Sequence, residues 1–509
     1  MARAIHTRWK ISGTLTAETP IHVGGMGGDA DTDLALAVNG RGHYYIPGTS
    51  LAGALRGWMS KPFTNNDLEK LEHPVNQIWG FQDKQSNGHA SFIIIDDAEV
   101  TLTHNMTIEI REGVGIDRHT GAAADGFKYS RAILPKGVTF PLNITLDGQA
   151  NKNPDELWKI LRALEEGDIR IGAAKTRGLG KIKLSITSIH KQKFDAENIF
   201  DVLLSGGQLR QWDELKPQQY NSPDKLTLDI TWKPKDPVMV KAEGDGIAVD
   251  ILPLVSQATG KTHFVIPGSS IKGVLRAHAE RIVRTVCELE TSDKFLHQVQ
   301  LNLINEVFGA ASRSEKDPGK MGALSVDDCY ATIGMNPENW SAVENATSMA
   351  VGEFKPLVNT AIKKKDERYQ TLQPAMHVAV DRWTGGAAEG MLYSVLEPIG
   401  VDWGQIGIHL DLERLKKYGE GNVQPAIALL FLVLRDFANR KIPIGYGTNR
   451  GMGTVEVTEM KLNCSPIEGL AGIDQVQAIT PDLSSLGNGL LRNLTNAWQD
   501  WITQNQEAA

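Results

Sequence analysis

Four segments of this chain occur twice in the same order, and this internal duplication constrains the fold more tightly than any other feature of the sequence. The run Ile46-Pro47-Gly48-Thr49-Ser50-Leu51-Ala52-Gly53-Ala54-Leu55-Arg56 returns as Ile266-Pro267-Gly268-Ser269-Ser270-Ile271-Lys272-Gly273-Val274-Leu275-Arg276. Val75-Asn76-Gln77-Ile78-Trp79-Gly80 returns as Ile304-Asn305-Glu306-Val307-Phe308-Gly309, each followed by an acid pair, Asp96-Asp97 or Asp327-Asp328. Ile116-Asp117-Arg118-His119-Thr120-Gly121 through Tyr129-Ser130 returns without a gap as Val380-Asp381-Arg382-Trp383-Thr384-Gly385 through Tyr393-Ser394. Ile171-Gly172 through Arg177-Gly178-Leu179-Gly180 returns as Ile444-Gly445 through Arg450-Gly451-Met452-Gly453. One such match could arise by chance; four collinear ones describe a duplicated domain.

The duplication sets the expected boundaries. A first domain covers 1–190, and a linker with Pro217 and Pro223 covers 191–224. A second domain covers 225–462 with an insertion near 335–370 that includes Lys363-Lys364-Lys365 and reads as a surface excursion. A tail, 463–509, ends in a helix expected around 490–502, with Leu490, Leu491, Leu494 and Trp498 at helical spacing. Two domains suit 509 residues, because single cores rarely grow beyond about 250–300.

Within each copy the periodicities follow one order. Trp9, Ile11 and Leu15 alternate as on a half-buried strand, and Thr49 or Ser50 can cap a helix over 51–59. A strand is expected near 91–100, and Val138, Phe140, Leu142, Ile144 and Leu146 mark another. Pro154-Asp155-Glu156 opens a helix with Leu157, Ile160, Leu161 and Leu164 on one face, and Ile182-Leu184-Ile186 closes the copy. The second copy repeats this with Leu226-Leu228-Ile230-Trp232, a helix over 270–286, a strand near 323–332, Ile406-Ile408-Leu410-Leu412, a helix through Ile427 to Phe437, and Val455-Val457. The fold class is α+β: two tandem ferredoxin-like domains of β-α-β-β-α-β order, which is also the order of RNA-recognition domains.

Composition narrows the setting. No run approaches the ~18 apolar residues of a membrane span, and the first residues lack an apolar signal segment, so a cytoplasmic protein without a membrane is expected. Cys287, Cys329 and Cys464 are too scattered for a disulfide framework or a zinc motif. The net charge of −8 does not announce a nucleic-acid partner, so binding would depend on a local groove, expected from Arg118, Lys128, Arg131, Arg177, Lys272, Arg382 and Arg450.

Chemistry would reside in the loops. The Arg-Gly loops can cradle phosphate on backbone amides beside Arg177 or Arg450, or serve as tight turns before the last strand. The Pro-Gly-x-Ser helix starts offer an anion site or ordinary capping. The Asp-Arg-x-Thr-Gly segments read as long hairpins suited to contacting a partner, or as structural Asp–Arg pairs. Before each Pro-Gly lies an acid loop, with Asp29, Asp31 and Asp33 in copy one and Glu243, Asp245 and Asp250 in copy two. Such carboxylates can hold a hard cation, act as a base, or simply be solvated.

At these loops the sequence resembles the RAMP superfamily, in particular the Cas seven-type backbone subunits of type III CRISPR effector complexes. A tandem fusion of two such domains resembles the III-D branch. The resemblance implies that each hairpin is a thumb, that each domain grips guide crRNA, and that thumbs kink the duplex with complementary target RNA. On the recurring motifs, the implied RNA contacts are Ser50, Arg56, Arg118, Thr120, Lys175, Arg177 and Gly178, and then Ser270, Lys272, Arg276, Arg382, Thr384, Asn449, Arg450 and Gly451. It further implies metal-dependent endoribonuclease cleavage of the target at one site per domain, with a divalent metal such as Mg2+. By position the catalytic and metal-binding residue is Asp33 in copy one and Asp250 in copy two. Ala35 and the shifted Leu252-Pro253 depart from the family's Asp-x-Pro-Val pattern, leaving Asp31 and Asp245 as alternatives and either site open to being inactive. Implied partners are further backbone RAMP proteins and a large subunit.

Two other readings stand beside this one. The chain could be a non-catalytic RNA-binding scaffold, or a guide-processing RNase with a His general acid–base. The latter finds no repeated histidine pair, since Met239 and Trp383 stand where His22 and His119 would recur.

Overall fold

A computed structural model describes all residues except 1–3, 26–31, 83–87, 104–105, 149–153, 221, 245, 313–318, 363–369 and 507–509. The alternative acids Asp31 and Asp245 and the Lys363-Lys364-Lys365 run lie outside the described residues. The chain divides into two compact units. One comprises Met1–Glu109, Arg131–Lys175 and Leu179–Pro223; the other comprises Ile110–Ser130, Thr176–Gly178 and Asp224–Ala509.

Up to Pro223 the principal elements are β1 (Thr7–Ala17), α1 (Gly48–Met59), β2 (Ile93–Ile95), the hairpin strands β3 (Glu109–Ile116) and β4 (Ala123–Ile133), β5 (Thr139–Gly148), α2 (Asp155–Glu166), β6 (Ile182–Lys193) and β7 (Gln208–Arg210). The first unit's sheet runs β7-β6-β1-β5-β2, antiparallel throughout. The helix α1 therefore links β1 to an outer strand with β5 lying between them, a split β-α-β arrangement. Alternation on β1 and β5 drives this: Ile11, Leu15, Phe140, Leu142 and Ile144 are buried on one face. Against them α2 lays Leu157, Ile160, Leu161 and Leu164, all fully buried, and it stops at Gly167 in the left-handed conformation. The stretch expected as a linker is more structured than its composition suggested. It holds the helix Ile199–Ser205 and β7, which extends the sheet through Ile189 opposite Arg210.

The second half repeats the plan with β8 (Lys225–Pro234), α3 (Gly268–Val286), β9 (Leu324–Val326), the hairpin strands β10 (Thr371–Val380) and β11 (Ala387–Ile399), β12 (Ile406–Asp411), α4 (Val423–Ala438), β13 (Val455–Cys464) and α5 (Gly487–Gln506). Its sheet order, β9-β12-β8-β13, matches that of the four corresponding strands in the first unit. Leu228, Ile230, Ile408, Leu410, Ile427, Leu430 and Leu434 form its centre. The insertion is only partly a surface feature, since helices Pro337–Glu344 and Val351–Ala361 bury Trp340, Val343, Phe354 and Val358 in that core. The tail helix α5 adds Leu490, Leu494 and Trp501 to it. Among the described residues one helical stretch, Glu420–Ala438, is long and apolar enough to cross a membrane; 67% of it is buried, which marks it as a core helix.

Candidate nucleic-acid interface

The helix starts work differently from ordinary capping. Neither Thr49 nor Ser50 caps α1, and no side chain of the motif caps α3. Instead a carboxylate from far along the chain takes the first amide: Gly48 N donates to Asp97 Oδ1 at 2.7 Å, and Gly268 N to Asp328 Oδ1 at 2.8 Å. Glycine is required because a Cβ would lie 2.1 Å from the Ile95 carbonyl oxygen in one copy and 2.1 Å from that of Val326 in the other. Ser50 and Ser270 are half-buried in the first turns.

The motif's cations are largely engaged within the protein. Arg276 donates to the carbonyls of Gly309 at 2.8 Å and Val299 at 2.7 Å, and to Glu280 at 2.7 Å. Arg56 reaches the matching Gly80 carbonyl at 3.4 Å and Asn76 at 3.3 Å. Lys272 is buried with its ammonium on the Leu324 carbonyl at 2.7 Å. Burial, with Arg177 and Arg276 nearby, pushes it down to about 7. Of the other groove candidates, Lys128 pairs with Glu112 and Arg131 is buried, whereas Arg177, Arg382 and Arg450 are exposed.

At the hairpin tips Asp and Arg do not pair with each other. Asp117 Oδ1 accepts from the amides of His119 and Thr120, both at 2.9 Å, and from the Thr120 hydroxyl at 3.2 Å. Asp381 does the same with Trp383 N at 2.9 Å, Thr384 N at 2.7 Å and Thr384 Oγ1 at 3.0 Å. Thr120 and Thr384 thus lock the turn. The Thr120 amide, then the Gln298 side chain, holds the Asp117 carboxyl down at about 2.

Within the second unit the acid loop, the hairpin base and the Arg-Gly loop converge. Ile251 bridges Val395, and Asp250 Oδ2 accepts from the Ser394 amide at 2.7 Å and hydroxyl at 2.8 Å. These bonds, the amide first, hold Asp250 below the usual carboxylate range. Beside Ser394, the Tyr393 ring lies 5.4 Å from the Arg450 guanidinium, which also donates to the Tyr446 hydroxyl at 3.1 Å. Met239, Ile251, Val395 and Met452 form a small apolar floor beneath. Asn449, Arg450 and Gly451 are exposed on the loop, which is closed by Ile444 N on the Gly453 carbonyl at 2.9 Å.

Copy one carries the same pieces. Arg177 donates to Tyr129 at 2.7 Å, and the loop closes through Ile171 N on the Gly180 carbonyl at 2.8 Å. Leu34 bridges Arg131, the counterpart of Val395, so the residue before each bridge, exposed Asp33 or Asp250, occupies an equivalent place. Gly178 is packed more tightly than Gly451: a Cβ on it would lie 2.3 Å from Asp328 Oδ1, while nothing lies within 4 Å at Gly451. Lys175 is half-buried. Tyr129, Tyr393, Tyr446 and Ser394 belong to this region without having been assigned a role from sequence. The recurrence of Tyr-Ser in both hairpins was the signal for three of them.

Among the described residues no group of three or more His, Cys, Asp or Glu side chains comes together as a metal site. Asp33 and Asp250 are hard oxygen donors of the kind magnesium prefers, but each offers one carboxylate. RNA phosphates and water would have to complete the set, as is common for this ion. The two histidines weighed for acid–base work are engaged elsewhere: His22 with the Ala132 carbonyl and His119 with the Ser292 carbonyl.

The sequence matches the RAMP superfamily over residues 14–183 and 254–456, one stretch in each copy. The chain belongs to the RAMP superfamily. The two matches, which together span well over half of the chain, make it a tandem RAMP protein. Membership brings the character of a CRISPR-associated RNA-binding subunit working among several subunits. No curated protein gives a match.

Proposed function

We propose that this tandem RAMP protein is a Cas seven-type backbone subunit of a type III CRISPR ribonucleoprotein, fused as in the III-D branch and acting in the cytoplasm. In this reading each half is a ferredoxin-like domain whose hairpin is a thumb. It binds guide crRNA and cuts complementary target RNA once per domain. The observation that carries it is the convergence of Asp250, Ser394, Tyr393 and Arg450 at the base of one hairpin, with Asp33 at the equivalent place in copy one.

Arg450, Asn449 and the Gly451 amide would hold the RNA backbone, with Arg177 and Lys175 doing so in copy one. A nucleotide turned out of the duplex can align its ribose 2′-oxygen with the phosphorus, and this positioning supplies much of the rate. The 2′-oxygen then bonds to phosphorus as the bond to the 5′-oxygen breaks. The 2′-hydroxyl proton is lost and the departing 5′-oxygen is protonated, leaving a cyclic phosphate and a 5′-hydroxyl. Asp250, kept ionised by Ser394, and Asp33 would orient the reacting ribose and hold a magnesium ion shared with phosphate oxygens. When bound, such an ion offsets charge developing on those oxygens.

The test is cleavage of labelled target RNA by assembled complex carrying Asp33→Ala, Asp250→Ala or both, with Mg2+ and with EDTA. Each single variant should lose its own set of cuts and the double variant all of them, with guide retained. Persistence of every cut in the double variant would sink the nuclease reading. The bonds from Ser394 to Asp250 favour one rival, a non-catalytic scaffold in which Asp250 only ties its loop to the hairpin. That rival predicts an intact guide-bound complex without metal-dependent cuts from these domains.

A further inference from the structure

The two hairpin bases follow one plan, yet they differ in how many flat groups they assemble. In the second unit, β10 and β11 place His377 opposite Tyr393, and the two rings lie within 15° of parallel with centres 5.3 Å apart. Glu397 Oε1 lies 3.7 Å from His377 Nε2. The Arg450 guanidinium lies 5.4 Å from the centre of the Tyr393 ring and 5.9 Å from that of Tyr446, whose hydroxyl accepts from it at 3.1 Å. Burial, then the neighbouring Tyr446 phenol, pushes the Tyr393 phenol up. Three rings and a guanidinium thus meet in one place. Arg450 is exposed and both tyrosines are half-buried, which leaves flat surface for a further ring. In the first copy two of these four groups are missing. Counting along the repeat, Gly113 stands for His377 and Ala173 for Tyr446. The Tyr129 ring lies over Gly113, where a Cβ would come within 2.3 Å of its Cζ. Lys175 replaces Thr448, so the first loop carries an extra cation where the second carries an extra ring.

We infer that Arg450 and Tyr446 form a base-stacking site for one unpaired nucleotide of the bound RNA, and that the second half carries this site while the first does not. This rests on the ribonucleoprotein reading above and adds a second task to the same loop. Aromatic and guanidinium faces attract any nucleobase, because every base has a π-face, so no hydrogen-bond code is needed. The N–H edge of Arg450 stays available to phosphate, since a guanidinium carries five donors and Tyr446 takes one. His377 and Glu397 back the Tyr393 ring, so the platform stands before RNA arrives and little side-chain freedom is lost on binding. Ala173 offers no ring and Gly113 no support, which leaves the first half to hold RNA through its cations and loop amides. The first half therefore asks of RNA a backbone, and the second a backbone and a base.

The experiment uses assembled, guide-bound complex and target RNAs that each carry one 5-iodouridine, which joins to an aromatic side chain on irradiation. One position should join to Tyr446, located by mass spectrometry. An abasic ribonucleotide at that position should slow the second-half cut about tenfold, and Tyr446→Ala should do the same with intact RNA. Together they should slow it no further, because each removes one partner of the same stack. Tyr446→Phe should restore the rate, since the ring stacks without its hydroxyl. An abasic ribonucleotide at the matching distance from the first-half cut should have no such effect. Strict additivity, a Tyr446→Phe variant as slow as Tyr446→Ala, equal slowing at both cuts, or target-bound complex without a join at Tyr446 each overturns the inference. If neither half cuts, the nuclease reading fails by itself, and target affinity measured with the same RNAs and variants decides the stacking. A complex that holds no RNA sinks both.

Discussion

The first amide of α3, Gly268 N, is capped by Asp328, a residue 60 positions further along, and Gly48 has the same relationship to Asp97 across 49 positions. A sequence motif that looks self-sufficient is thus half of a long-range device. The Pro-Gly lets the helix start press against the neighbouring strand, and the acid satisfies the amide exposed there.

Loss of that acid should cost stability unequally in the two copies. Asp97→Ala removes a cap, worth about 1–2 kcal/mol. Asp328→Ala also breaks an ion pair with Arg111, which lies 3.1 Å from Asp328 with both side chains nearly buried, so about 3–5 kcal/mol is expected. Urea unfolding of the full chain checks this. Equal, negligible shifts in both variants would contradict the capping role.

How much of this was legible beforehand depends on the range of each interaction. Period-two alternation fixed β1, β5, β8 and β12, because burial on one face leaves a local trace. The loops were recognisable by recurrence. What Asp97, Arg56 and Arg276 touch was not, since their partners lie tens of residues away and carbonyl acceptors have no sequence signature. Lys272 misled for the same reason: a lysine beside a helix start reads as a cation for RNA, yet its ammonium is buried on a carbonyl. The stretch after β6 looked like a linker because polar turns hide a three-residue strand.

The Arg-Gly loops and the first-helix arginines should separate in salt titrations. Arg450→Ala is expected to weaken binding of single-stranded RNA and to reduce the slope of log K against log salt by about one. Arg276→Ala should instead lower the unfolding midpoint with the slope unchanged, because its guanidinium serves Gly309, Val299 and Glu280. Filter binding across a sodium chloride series reads the first effect, and denaturation the second. A slope change in Arg276→Ala alone would reverse the assignment.

Ser394 provides a pH test for Asp250. The folded carboxyl lies below its ordinary value, so its bonds stabilise the fold above that ordinary value and lose their contribution as pH falls through the folded one. Ser394→Ala should raise the Asp250 titration seen by carbon-13 NMR. If Asp250 acts ionised in cleavage, the acidic limb of the second-domain cut moves to higher pH while the first-domain cut stays put. A shifted titration with an unshifted limb would leave Asp250 structural only.

Glu280 lies between Arg118 at 2.6 Å and Arg276 at 2.7 Å, and it is the more sensitive member of that group. Glu280→Ala leaves two guanidinium groups without their acid, a change expected to cost about 3–5 kcal/mol. Arg118→Ala leaves the carboxylate still held by Arg276 and should cost less. Its effect should also be local: faster amide exchange and proteolysis in the hairpin from Glu109 to Ile133, with α3 unaltered. The double variant should fall short of the sum, because once Glu280 is gone Arg118 has little left to lose. Strict additivity would show that the hairpin is held by Phe127 on Phe295 and not by charge.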